Sequence, residues 1–305
     1  MSPRRLVADV GGTNVRFAIA DADGVLDRVK IFQTAGFPTF PDALSAYRTD
    51  AGELREINAC AVAAAGPVDG NVVKLTNNAW IVDGAKISAM MNGVPVAVVN
   101  DLEAVAAALP HLTSDDLTTL GPIAPVRPER RTMIAVNVGT GFGAAAVIWR
   151  DGCWYTCPSE AGHMTLGSVE GLAMPPDTSV EDVLSGSGLT RLRERLAGQA
   201  GNAARASDVF AEAGREPVAA RTVEVFTAVL GRIAGDLTLA TCAWGGVYLC
   251  GSVATAWAAI GDIARFRAEF TRKGPMRARM REVPTAVIRR DIAALYGLAM
   301  MPISR

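Results

Sequence analysis

The feature that most constrains this chain is a repeat. Asp9-Val10-Gly11-Gly12-Thr13 recurs 128 positions further on as Asn137-Val138-Gly139-Thr140-Gly141. The same offset pairs Ile19 with Val147, Asp23 with Asp151 and Gly24 with Gly152, with no gap between the copies. Each copy reads as a strand, a glycine turn, an apolar strand and an acidic-Gly turn. Two similar halves facing one another are expected to enclose a cleft, with a glycine turn on each side.

The rest of the chain supports that plan. Apolar runs at Leu6–Asp9, Val15–Ala20, Ile57–Ala65, Val94–Val99, Met133–Val138, Ala144–Ile148, Gly246–Cys250 and Val283–Ile288 predict strands. Helical spacing is predicted after Asn100-Asp101, closed by Pro110, and over Val180–Leu184, Leu189–Leu196, Ala219–Ala243, Ala254–Phe266 and Ile292–Met300. Strands alternating with helices mean an α/β protein. At 305 residues the chain has room for two domains. We place them at 1–111, completed by the terminal helix 290–305, and at 112–289.

A formal net charge of −1 supplies no basic footprint for nucleic acid and no basic surface for a membrane. The apolar run near the start is only Leu6-Val7-Ala8, too short for a secretory signal, and no run is long enough to cross a bilayer. Five cysteines in a chain of this size do not suggest a disulfide framework. A cytoplasmic, reducing setting is expected.

Glycine turns of this kind let backbone N–H groups approach an anion closely, and Thr13 and Thr140 each add a hydroxyl. One such hairpin is weak evidence, because a tight turn demands glycine by itself; two at matched places are stronger. The Walker pattern is absent, since no glycine precedes a lysine followed by Ser or Thr. The dinucleotide fingerprint joins a strand to a helix, whereas these glycines join two strands. Asp101, at a strand's carboxyl end before an apolar helix, reads locally either as a helix N-cap or as a general base beside a cleft.

Several segments together carry a resemblance. VADVGGTN (Val7–Asn14), TNNAW (Thr76–Trp80), VND (Val99–Asp101), PSEAGH (Pro158–His163), EDVLSGSGL (Glu181–Leu189) and GGVYLCG (Gly245–Gly251) stand in the order seen in bacterial glucokinases. Over nearly its whole length the chain resembles that family of the hexokinase/actin/heat-shock ATPase superfamily. The resemblance implies a duplicated actin-like ATPase (ribonuclease H-like) fold with two domains and a central cleft. It implies transfer of a phosphoryl group from Mg-ATP to the 6-hydroxyl of glucose, with domain closure excluding water.

By the same resemblance Asp101 is the base, and Asn100, Asp101, Glu160, His163 and Glu181 contact the sugar. Ala8, Asp9, Val10, Gly11, Gly12, Thr13, Gly139, Thr140, Gly141, Gly251 and Ser252 bind ATP, and Asp9 holds Mg2+ through water. Relatives are commonly dimers, so a homodimer is an expected assembly. Three departures stand out. Asn137 occupies a position where related glucokinases often have glycine, Ser252 replaces a glycine, and the segment 164–180 is contracted. Cys153 and Cys157 precede Glu160, whereas a zinc-bearing sister family keeps its cysteine cluster after this segment, so no structural zinc is expected. The competing expectations are a kinase for another hexose or amino sugar, and a non-catalytic sugar sensor.

Overall fold

In the computed structural model, residues 4–52, 57–76, 78–125, 130–169, 172–198 and 205–303 are described. Asn77 of the TNNAW segment, Glu170 and Gly171 of the contracted segment and the last two residues of the terminal helix's expected range lie outside them. The chain divides into two units. The first comprises 1–111, 150–156 and 291–305; the second comprises 112–149 and 157–290.

The first unit is built on β1 (Arg4–Val10), β2 (Asn14–Ala20), β3 (Leu26–Gln33), β4 (Ile57–Ala64), a small antiparallel sheet of β5 (Val68–Asp69), β6 (Val72–Lys74) and β7 (Ile81–Asp83), and β8 (Val96–Asn100). Its main sheet runs β3-β2-β1-β4-β8. β1 pairs antiparallel with β2 and parallel with β4, and β4 pairs parallel with β8. Its helices are α1 (Phe40–Ala51), α2 (Gly84–Met90) and α3 (Asp101–Ala108). Leu6, Ala8, Val10, Phe17, Phe40 and Tyr47 fill one face of the sheet. Phe17 and Tyr47 stack with centroids 4.9 Å apart.

The second sheet consists of β9 (Leu117–Thr119), β10 (Met133–Val138), β11 (Phe142–Arg150), β12 (Cys153–Ser159), β13 (Gly246–Cys250) and β14 (Thr285–Ile288), in the order β12-β11-β10-β13-β14-β9, and all of it falls in the second unit except Arg150 and the first four residues of β12. β10 is antiparallel to β11 and parallel to β13, and β13 is parallel to β14. The helices are α4 (Gly186–Ala197), α5 (Ala206–Glu212), α6 (Pro217–Thr241), α7 (Ser252–Ile260), α8 (Ile263–Thr271) and α9 (Arg277–Arg281). α10 (Ala293–Met300) belongs to the first unit and packs on α3 through Ala104, Ala107, Leu295 and Leu298. A Cβ at Gly297 would lie 1.8 Å from the Ala104 carbonyl oxygen, so only glycine permits this crossing.

The central strands of the two sheets therefore share order and direction. Their turns differ in length. Val10 pairs with Val15 across four residues, whereas Val138 pairs with Phe142 across three. The gapless match of the sequences is not kept in the register: Ile19 faces Leu6, while Val147 faces Met133.

Two expected helices are corrected. Val180–Leu184 is a turn rather than a helix. The Asp182 carboxylate accepts from the Ser179 amide at 3.0 Å and from its hydroxyl at 2.7 Å. Ser185 then begins α4 by accepting from the Gly188 amide at 3.0 Å. The span Ala254–Phe266 is two helices, because Gly261 leaves helical geometry and Asp262 caps α8, accepting from the Arg265 amide at 2.9 Å.

Candidate functional site

In the first unit, the carboxyl ends of three adjacent strands bring together the polar residues that the sequence singles out. Asp9, next to last in β1, faces Arg16 across the hairpin, and its Oδ2 accepts from Arg16 Nη1 at 3.1 Å. Ala64, at the end of β4, pairs with Asn100 at the end of β8. Burial pushes the Asp9 carboxyl above the ordinary carboxylate range; the Arg16 cation pulls it back and the Asp101 charge pushes it further up. The turn itself closes with the Gly11 amide donating to the Asn14 carbonyl at 2.9 Å. Thr13 is exposed at its tip.

The helix cap is Asn100 rather than Asp101. Asn100 Oδ1 accepts from the Leu102 amide at 3.0 Å, while its Nδ2 donates to the Gly66 carbonyl at 3.1 Å. Asp101 is the first residue of α3; its Oδ1 also accepts from the Leu102 amide, at 2.9 Å. Among the described residues no side chain donates to the Asp101 carboxylate. Burial raises its proton affinity, and the local amide bonds oppose that only in part. A carboxylate that is shielded, basic and free of side-chain donors is suited to accept a proton.

Ala8 and Val10 belong to the body of β1. Both side chains are fully buried in the core, and β1 is paired on both edges.

In the second unit, Gly139 lies between two helix starts. Its carbonyl accepts from the Gly186 amide at 2.8 Å at the start of α4, and a Cβ at Gly139 would sit 3.9 Å from the Gly251 Cα. Gly251 precedes α7 with φ of 95°, and among the described residues no side chain caps that helix start. Thr140 and Ser252 are exposed here. Glu181 Oε2 accepts from the Phe142 amide at 2.8 Å, and the Glu181 amide donates to the Gly162 carbonyl at 2.9 Å. Glu181 thus ties the second glycine turn to the Glu160–His163 segment. Glu160 and His163 lie 3.9 Å apart on a 3-10 turn, 79% and 72% exposed.

Sequence reasoning missed the contribution of Gly66, Ser185 and Gly186, which reach these sites only through the fold. It also missed Asn78, whose Oδ1 accepts from the Trp80 amide at 2.8 Å while its buried Nδ2 has no partner among the described residues. The repeated Asn in TNNAW was the available signal. Among the described residues no group of three His, Cys, Asp or Glu side chains is placed to hold a metal ion. Asp9 is a single carboxylate with one oxygen on Arg16. One carboxylate of this kind fits a contact to Mg2+ through water and not a site built from protein ligands alone.

Comparison with known proteins follows the same lines. The family model described as Glucokinase matches residues 6–303. A glucokinase of Mesorhizobium japonicum is 34% identical over 313 residues, covering 96% of this chain and 90% of the relative. One from Nitrobacter hamburgensis is 33% identical over 320 residues, covering 99% and 98%. The crystal structure of a glucokinase from an Antarctic psychrotroph superposes with a TM-score of 0.87 at 29% identity, covering 98% of each chain. The match runs through both glycine turns and both units, and the chain belongs to the glucokinase family.

Proposed function

We propose that this chain catalyses ATP-dependent phosphorylation of glucose to glucose 6-phosphate. The observation that carries the reading is family membership over nearly the whole chain, and the two glycine turns are its local support. Each turn stands at the end of a central strand in a sheet of the same order, and we infer the duplicated actin-like ATPase fold from that correspondence.

The 6-hydroxyl oxygen of glucose attacks the γ-phosphorus of ATP, the bond to the bridging oxygen breaks, and ADP leaves. The hydroxyl proton goes to the Asp101 carboxylate. Asn100, Glu160, His163 and Glu181 orient the sugar through hydrogen bonds to its hydroxyls. Gly11 to Thr13, Gly139 to Gly141, Gly251 and Ser252 hold the nucleotide with backbone amides and hydroxyls. Mg2+ bound with the nucleotide, beside Asp9, supplies neutralisation of phosphate charge.

Coupled release of ADP, measured over glucose, mannose, fructose, glucosamine and N-acetylmannosamine, tests the reading. Turnover dominated by glucose supports it. Dominance of another sugar makes the chain a different hexose kinase, and binding without turnover makes it a sensor.

A further inference from the structure

The residue that most distinguishes the second turn is Asn137. β10 reads MIAVNV, and Asn137 is its one polar side chain. It lies beside Cys250 in the parallel register with β13, and beside Gly143 across β11. Its side chain turns towards the glycines. A Cβ at Gly139 would meet its Oδ1 at 3.6 Å and its Nδ2 at 3.7 Å, and a Cβ at Gly251 would lie 2.4 Å from Oδ1. The amide therefore sits between the glycine turn and the uncapped start of α7. Gly251 must be glycine for it to fit, on both space and a φ of 95°, whereas a Cβ at Gly139 would meet the amide at ordinary contact distance.

The orientation of the amide is set from one side. The Cys250 thiol donates to Asn137 Oδ1 at 3.9 Å. The acceptor end is engaged by the thiol, which leaves Nδ2 as a two-hydrogen donor. The start of α7, which carries no side-chain cap among the described residues, lies beside this amide, and a helix N-terminus favours an anion.

We propose that Asn137 Nδ2 is an additional phosphate donor of this chain, contacting the nucleotide's polyphosphate from between the two loops. The inference rests on the kinase reading and deepens its nucleotide side. A side-chain donor compensates for the Ser252 and Val253-Ala254-Thr255 stretch, which brings no basic residue to the third loop.

The test is calorimetric titration of the full chain, as wild type, Asn137→Gly and Asn137→Asp, with MgATP, adenosine and glucose separately. Asn137→Gly removes the donor and keeps the turn; we expect its MgATP dissociation constant to rise roughly three- to tenfold. Asn137→Asp replaces the donor with a charge facing phosphate, and the rise should exceed about tenfold. Adenosine and glucose affinities should stay within about twofold in both, which a merely structural role would not give. Asn137→Gly that binds MgATP as tightly as wild type overturns the inference, as does an equal loss for adenosine. A wild-type chain that binds glucose but no nucleotide overturns the kinase reading itself, and this inference with it.

Discussion

Glu181 Oε2 accepts the Phe142 amide hydrogen at 2.8 Å, across 39 positions of sequence. A carboxylate from one loop thus closes the first backbone position of β11, next to the second glycine turn. The contact also explains two glycines: a Cβ at Gly141 would stand 2.5 Å from that oxygen, and one at Gly162 would stand 2.4 Å from the Phe142 carbonyl oxygen.

The first prediction concerns this link. Glu181→Ala leaves the Phe142 amide without its acceptor and is expected to destabilise the fold by about 1–3 kcal/mol. Glu181→Gln keeps a carbonyl oxygen there and should cost less than about 1 kcal/mol. Urea denaturation of the two variants distinguishes them. Equal losses would mean that the hydrogen bond contributes little.

Asp101→Asn is expected to lower kcat by roughly 10²- to 10⁴-fold. Glucose affinity should remain within several-fold, because an amide still offers a hydrogen-bonding side chain. The α3 cap survives on Asn100. Single-turnover kinetics with tight control of glucose saturation measure this, and an unchanged turnover would remove Asp101 as the base.

The pH dependence has a defined sign. The Asp101 carboxyl is raised by burial, so its folded-state proton affinity exceeds that of the unfolded chain. Folding stability therefore falls as pH climbs from the unfolded value, about 4, through the raised folded value. Activity moves the opposite way, because the base must be ionised: the acid limb of kcat should lie above the ordinary carboxylate range. In Asp101→Asn the decline in stability over that window should diminish. A wild-type acid limb at an unperturbed carboxylate value would contradict the burial of the group.

Arg16 and Asp9 form an ion pair, 32% and 16% exposed. Removing the cation in Arg16→Met leaves a half-enclosed carboxylate unpaired and should push the Asp9 proton affinity further up. The double-mutant cycle with Asp9→Asn is expected to show a coupling of about 0.5–3 kcal/mol in stability. Additive losses would show that the contact at 3.1 Å is energetically idle.

Gly297→Leu tests how the helix crossing holds α3. Even a Cβ would fall 1.8 Å from the Ala104 carbonyl oxygen, so α10 must move away from the helix that begins at Asp101. We expect a loss of about 3 kcal/mol or more, with kcat reduced in whatever fraction remains folded. Thermal unfolding of the variant at wild-type temperature would show that the two helices do not need this contact.

Much of this protein is local and was legible in its residues. The glycine turns, the apolar strands around them and the Asn100-Asp101 corner are written in contiguous sequence, because strand periodicity and turn chemistry act over a few neighbours. What lay beyond reach came from partners far apart in the chain. Val180–Leu184 has the apolar spacing of a helix, yet Ser179 and Ser185 stop it at a turn. Local reading offered Asp101 as the cap of α3; the fold gives that place to Asn100, whose Oδ1 accepts from the Leu102 amide while its Nδ2 reaches the Gly66 carbonyl. Glu181 at Phe142 and Asn137 between Gly139 and Gly251 are likewise tertiary facts. A single side chain is directed by whichever distant backbone group it satisfies, and only the assembled sheet decides which group that is.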